Sequence, residues 1–512
     1  HERRIAELIR ERLGPDAFIS LSVDILPEYR EYERTAATVI NAYVAPLMSR
    51  YLVRLAEGIA PRPLAVMQSN GGIISAAVAG AQAARTALSG PAGGVVGARY
   101  VAGAAGHDDI ITFDMGGTST DVALCPGRAP VTTEGEIAGL PLQLPMIDIH
   151  TVGAGGGSLA WVDAGGALNV GPQSAGADPG PACYHADFGL WRAALDARFA
   201  AGRATVSDAN LVLGRLDPAR FLGGEMTLHE SSARQALASL AADLGAPVEE
   251  AAWAVVRVAN ANMERAVRRI SVERGHDPRR FTLVAFGGGG PLHACELAEG
   301  LDIPRVLVPL VPGVLSALGM TAAEPTRDYS RTVMLSPTEA TMTDPFAPLV
   351  ELARAEMAAE GYDPALLSLR RGLDMRYRGQ SHELTVGVSP EMDAAALTEA
   401  FHAVHAARYG YARPEAAVEL VTARLSAVAP SAGLRLPRHE PGGRDPSAAM
   451  IGRRPVRFAA GFAEATLYDR ARLRPGNALP GPAVVYQYDT TTIVPPGWVA
   501  EVDGGENLVI GR

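Results

Sequence analysis

Apolar and polar positions along this chain change period several times, and the changes outline its elements. The opening residues HERRIAELIRERLG repeat at helical spacing, and Gly14-Pro15 closes that helix. FISLSVDIL predicts a short strand, and Tyr29 to Gly58 a long amphipathic helix. LAVMQSNGGIIS predicts a strand running into the polar turn Asn70-Gly71-Gly72, suited to close approach of a ligand. An apolar strand then ends on Asp114, turns at Gly116-Gly117 and resumes as the alternating run Asp121 to Cys125. A further strand ends near Asp148-Ile149-His150, and Ser231 to Glu273 is helical. FTLVAF is a strand that runs into four glycines, after which Pro291 opens a helix. The texture shifts near Arg327 to Pro337, and beyond it glycine loops become rare. Helices at 345–360 and 393–409 there alternate with strands such as PAVVYQYDTTTIVPP, with a linker around 437–455. The expected organisation is an α/β domain over 1–330 and a β-rich α+β domain over 331–512.

Composition narrows the function. The 512 residues carry a net charge of −10 with no basic run, which argues against nucleic acid or an anionic membrane as partner. No apolar stretch is long enough to span a bilayer. Cys125, Cys183 and Cys295 are an odd number and far apart, as expected of reduced thiols in a cytoplasmic protein. All 46 basic residues are arginine. With no lysine, a Walker-type phosphate loop and Schiff-base chemistry are both excluded. Phosphate binding must use backbone N–H groups, hydroxyls, a metal or arginine.

Three stretches carry candidate chemistry. In FDMGGTSTDV a carboxylate at a strand tip precedes two glycines and the hydroxyls of Thr118 and Ser119. That order suits phosphate on the backbone N–H groups and Mg²⁺ on Asp114, and it equally fits an ordinary glycine hairpin. In LVAFGGGGPLHA a strand, the loop Gly287, Gly288, Gly289, Gly290 and a helix start form a nucleotide-site pattern. The spacing lacks the third glycine of a dinucleotide fingerprint, since Leu292 or His293 stands there. In IDIHTVGAGGGS, Asp148 and His150 are two apart and would share one side of a strand. They are an acid/base or metal-binding pair if the loop faces the nucleotide, and a satisfied hydrogen bond otherwise. SGPAGGVVGA keeps one helix side small, with packing the expected role, and Ser207 is the expected cap of a helix near Asp208. His402 and His405, i and i+3 on a helix, lack a third ligand nearby for a metal.

Taken in order, these motifs resemble the hydantoinase A/5-oxoprolinase family. The resemblance rests on REYERTAATVINAYV, MQSNGG, SGPAGGVVGA, FDMGGTSTDV, IDIHTVGAGGGS, VGPQSAGADPGPACY, SDANLVLGRL, ERGHDPRRFTLVAFGGGGPLHA, RYRGQSHEL and TTTIVPPGW. It implies an actin/sugar-kinase/heat-shock ATPase-like core, with ATP and Mg²⁺ as cofactors and a C-terminal β-rich α+β domain. In that plan Asp114 holds the metal, Gly116, Gly117, Thr118 and Ser119 hold phosphate, and Gly287–Gly290 the adenosine. Asp148 and His150 would orient the substrate carbonyl or shuttle a proton. The family's first phosphate hairpin is not among these residues, and HADFGLWRAALDARFAAGRATV stands where the family has a short glycine-rich link.

The implied function is one subunit of an ATP-dependent hydrolase of cyclic amides such as hydantoins or lactams. It would work in a hetero-oligomer with a hydantoinase B-type subunit. The alternatives are a subunit of an ATP-dependent ketone carboxylase, which the same hairpins would serve, and a non-catalytic nucleotide-binding assembly subunit.

Overall fold

The computed structural model describes residues 1–15, 17–137, 139–199, 202–431 and 433–512. The inserted segment after Tyr184 is described except at positions 200 and 201, and contains the helix Phe188–Asp196 capped by Asp187.

The chain folds into two compact units, each assembled from three separated segments. The first comprises His1–Ala92, Val131–Ile147 and Ala322–Gly433, the second Gly93–Pro130, Asp148–Thr321 and Leu434–Arg512. The division interleaves segments that lie far apart along the chain. Its physical cause is strand pairing, because the last strand of the chain hydrogen-bonds into the sheet that carries Asp114.

That sheet organises the second unit. Its strands are β1 (Asp109–Met115), β2 (Thr120–Pro126), β3 (His150–Val152), β4 (Thr282–Phe286), β5 (Arg305–Val308), β6 (Ala478–Pro480), β7 (Val499–Val502) and β8 (Leu508–Gly511). The order is β6-β7-β8-β5-β4-β1-β2-β3, with β5, β4 and β1 parallel and the other pairs antiparallel. All five residues of β4 are buried, as expected of a central strand covered on both faces. Helix α2 (Val248–Ile270) packs on one face, where Thr120 meets Met263. Helix α1 (Ser89–Ala104) lies over the other at β4, since a Cβ on Gly94 would stand 2.8 Å from the Phe286 ring. Gly97 is pressed against Leu315 in the same way, at 2.4 Å from its carbonyl oxygen. The small side of α1 is thus a packing surface.

The first unit is built on the antiparallel sheet Thr326–Leu335, Val418–Val428, Ser368–Tyr377, Leu384–Val388 and the helices Glu31–Ile59, Ala347–Ala359 and Ala394–Tyr409. Asn70 in its polar turn donates to Asp328, and a Cβ on Gly72 would meet Thr326 at 2.4 Å. The turn therefore closes on its own unit. The expected strand FISLSVDIL contains a short helix instead, Ser22–Ile25, because Ser22 is held by Glu2 and Arg34. The helix near Asp208 starts two residues earlier than expected. Its cap is Thr205, in a capping box with Asp208, and not Ser207.

Candidate functional site

The hairpin between β1 and β2 closes with Gly116 N–H donating to the Ser119 carbonyl at 3.0 Å. Its outer carbonyls are taken by the loop after β3. Gly156 and Gly157 N–H groups donate to the oxygens of Gly116 and Gly117 at 3.0 and 2.6 Å. That docking explains the glycines of GAGGG, since a Cβ on Gly155 would lie 2.6 Å from the Thr118 nitrogen. The N–H groups of Gly117, Thr118 and Ser119 make no protein hydrogen bond among the described residues. Successive unpaired N–H groups on an exposed turn form a cradle for an anion.

Gly287–Gly290 joins this hairpin directly. Gly289 N–H donates to the Met115 carbonyl at 2.9 Å, and Gly287 N–H to Pro312 at 3.0 Å. Gly287 has φ +74°, and a Cβ there would meet Asp114 Oδ1 at 2.3 Å. Only glycine fits such a backbone against a carboxylate. Helix α3 (Gly290–Gly300) starts from this loop, with Pro291 in its first turn.

Asp114 faces Asp121 across the hairpin, in the row Phe286–Asp114–Asp121–Thr151 that runs over four strands. Burial, then the negative charge of Asp121, pushes the Asp114 carboxyl up to about 6. Asp121 is raised by burial, and its hydrogen bond from Thr151 opposes the shift. Two oxygen donors with unfavourable charge suit a hard cation that keeps most of its water. Among the described residues no group of three or more His, Cys, Asp or Glu forms a metal cage. The donors fit hydrated Mg²⁺ better than a dehydrated transition metal.

Asp148 and His150 are not brought to this row. His150 pairs with Val122, one residue out of step with the Asp121–Thr151 pair. Neighbouring strand residues point to opposite faces, so His150 turns away from Asp114 toward the face covered by α2. Arg269 of α2 and the nearby Arg274 lie close enough to lower its pKa, after burial as the main cause. Asp148 precedes β3 and is ion-paired to Arg274. The two-residue spacing implied a shared side only if both lay within one strand.

The loop between Ala483–Tyr486 and Thr491–Val494 was not expected here. Thr490 Oγ1 donates to the Gly288 carbonyl at 3.0 Å, and Asp489 Oδ2 accepts from Gly313 N–H at 2.8 Å. Asp489 Oδ1 is buried with no partner among the described residues. TTTIVPPGW was visible as a motif, but its contacts are remote in sequence. Other shared motifs are structural. Asp208 accepts from the N–H groups of Ala182 and Cys183, and burial raises its pKa. His402 and His405 bond Tyr377 and the Tyr411 carbonyl, and do not form a metal pair. Cys125, Cys183 and Cys295 are free and buried, and no described helix is long and apolar enough to cross a membrane.

The fold and site define a mixed α/β protein with two glycine loops closed around a strand-tip carboxylate. The chain belongs to the hydantoinase/oxoprolinase family, whose model matches residues 34–329, with the hydantoinase/oxoprolinase C-terminal domain matching 333–508. It is 35% identical to the caprolactamase subunit alpha of Pseudomonas jessenii, over 98% of this chain and 73% of that one. The crystal structure of the ATP-dependent caprolactamase from Pseudomonas jessenii matches 100% of this chain and 74% of that chain, at 33% identity and TM-score 0.81. A nucleotide-free acetone carboxylase matches 99% and 74%, at 30% identity and TM-score 0.77.

Proposed function

We propose that the chain is a subunit of an ATP-dependent hydrolase acting on a cyclic amide, and that its nucleotide core follows the actin/sugar-kinase/heat-shock plan. The observation that carries this reading is the convergence of Gly116–Ser119 and Gly287–Gly290 on Asp114. The N–H groups of Gly117, Thr118 and Ser119 would hold phosphate oxygens, and the Gly287 loop the adenosine side. Asp114 would hold hydrated Mg²⁺, with Asp121 behind it. A bound magnesium ion supplies neutralisation of charge on the transferred phosphoryl group.

An amide carbonyl is a poor electrophile. In the proposed reaction its oxygen bonds to the γ-phosphorus as the bond from phosphorus to the ADP oxygen breaks, and the amide N–H proton is lost. The product is an imidate phosphate with an activated carbon. The glycine loops align the phosphoryl donor, and positioning supplies most of the rate in such transfers. Ring opening by water then follows. A hydantoinase B-type partner is the proposed site of that step, in keeping with relatives named as subunits.

Relatives named acetone and acetophenone carboxylase support a second reading, in which ATP activates a ketone and bicarbonate. One experiment separates the two. ATP turnover by the chain with its natural partner subunits is measured across hydantoins, lactams and ketones, with and without bicarbonate. Stimulation by a cyclic amide alone supports the hydrolase. Stimulation only by a ketone with bicarbonate replaces it with the carboxylase, and silence leaves a nucleotide-binding assembly subunit.

A further inference from the structure

The motif RYRGQSHEL is only partly explained by packing. Within the first unit Arg376 pairs with Glu383 and Glu419. Tyr377 is buried, bonded to His402 and accepting from Arg413 N–H. Gly379 takes φ +88° in the turn. Glu383 receives Tyr29 and Arg30, and Arg30 also holds the Ser381 carbonyl. The loop is thus fixed on both sides by charge-assisted bonds. Left over are the side chains of Gln380, Ser381 and His382, which make no hydrogen bond among the described residues.

All three line a cavity of about 350 Å³, a volume within the range of small-molecule pockets. Its other walls are rings and one leucine. Phe401 and His405 are buried, and the rings of Tyr409 and Tyr411 lie 4.8 and 5.0 Å from that of His405. Nδ1 of His405 is 2.8 Å from the Tyr411 carbonyl, so it carries the proton and Nε2 is left as an acceptor. Gln380 adds a carboxamide, with both a donor and an acceptor. Among the described residues no arginine, aspartate or glutamate lines the cavity.

We propose that this cavity binds a neutral ring bearing adjacent N–H and C=O groups, the edge of a cyclic amide. Ring faces favour a flat, weakly polar body, and the Gln380 and His405 groups complement the amide edge. The described wall of the cavity offers no carboxylate to pair with a cationic group of a ligand. The ammonium of the ring-opened product finds no partner there, so the neutral ring binds in preference. The preference for neutral rings stands on the lining alone, whereas the choice of an amide edge rests on the function proposed above.

The test is saturation-transfer NMR on the full chain without nucleotide, using 2-piperidone and its ring-opened counterpart 5-aminopentanoate. 2-Piperidone binds and 5-aminopentanoate does not. Tyr409→Ala/Tyr411→Ala weakens 2-piperidone binding by about tenfold or more, and Gln380→Ala, at a half-buried position, weakens it without touching the ring wall. Equal binding of both compounds, or binding unchanged in both variants, overturns the proposal. So does absence of 2-piperidone binding to the unmodified chain, even if lactams stimulate ATP turnover in the assembly. Binding that follows this pattern without lactam-stimulated turnover upholds the cavity and removes the hydrolase reading.

Discussion

Asp114 and Gly287 share one small volume: a methyl group on Gly287 would stand 2.3 Å from Asp114 Oδ1 and 2.6 Å from the Met115 carbonyl. With φ +74° the position is also strained for any other residue, at a typical cost of about 1–3 kcal/mol. Gly287→Ala should therefore lower the melting temperature and reduce ATP turnover in the proposed assembly by about 100-fold or more, since the loop or the carboxylate must move. Gly117→Ala is the contrasting case, because a Cβ there meets nothing within 4 Å. It should melt like the parent, so a loss of turnover reports a clash with ligand rather than with protein. Parent-like turnover in Gly287→Ala would remove this contact from the function.

Asp114→Asn separates function from stability. The carboxyl titrates near 6 in the folded chain, above its ordinary value of 3.8. Between those values the folded state binds more protons than the unfolded one, so stability falls as pH rises through that window. Above it both states are ionised and the whole cost of the buried charge is present. Replacing the carboxylate by a carboxamide removes that cost. At pH 8 the variant should melt at or above the parent temperature while ATP turnover is lost. A lower melting temperature, or turnover within about threefold of the parent, would show that Asp114 serves the fold instead.

His150→Ala tests the register. His150 lies on the opposite face of the sheet from Asp114 and Asp121, close to Arg269 and Arg274. Its removal should change ATP turnover by less than about threefold, measured beside Asp114→Asn. A loss comparable to that of Asp114→Asn would restore His150 to the reaction despite its position.

These outcomes bear on what a one-dimensional pattern contains. The β1–β2 hairpin, the glycine loop after β4 and the helix opened by Pro291 were legible because each is specified within about ten residues. The SDAN helix was found but its cap was misplaced by two positions, since Thr205 and Ser207 offer the same chemistry and only Asp208 decides between them. The strand expected at FISLSVDIL failed because Glu2 and Arg34, distant in sequence, claim Ser22. Asp489 and Thr490 were missed for a related reason. Their partners Gly313 and Gly288 lie near 180 and 200 residues away, and no periodicity records a contact of that range. The same long-range pairing carries β6, β7 and β8 into the sheet of Asp114.

His293, noted in the sequence for standing where a third glycine would be, has a structural role that predicts the acid limb of stability. It is 1% exposed, with Nδ1 2.7 Å from Asn260 Oδ1 and Nε2 3.3 Å from Asn210 Nδ2. Asn260 in turn donates to Glu296, the partner of the buried Arg215. In this network Nδ1 donates and Nε2 accepts, so the ring is neutral. Burial, then the charge of Arg215, lowers its pKa to about 3. The unfolded chain takes up this proton near pH 6.5. Between 6.5 and 3 the unfolded state therefore binds one more proton than the folded state, and stability falls as pH falls, by at most about 1.4 kcal/mol per unit for this group. His293→Gln keeps a donor and an acceptor but cannot titrate. Denaturant midpoints followed from pH 7 to 4 should fall more steeply in the parent than in the variant, even if the variant is less stable at pH 7. Parallel slopes would mean that protonation of His293 does not limit the fold, and the acid limb would then belong to other groups.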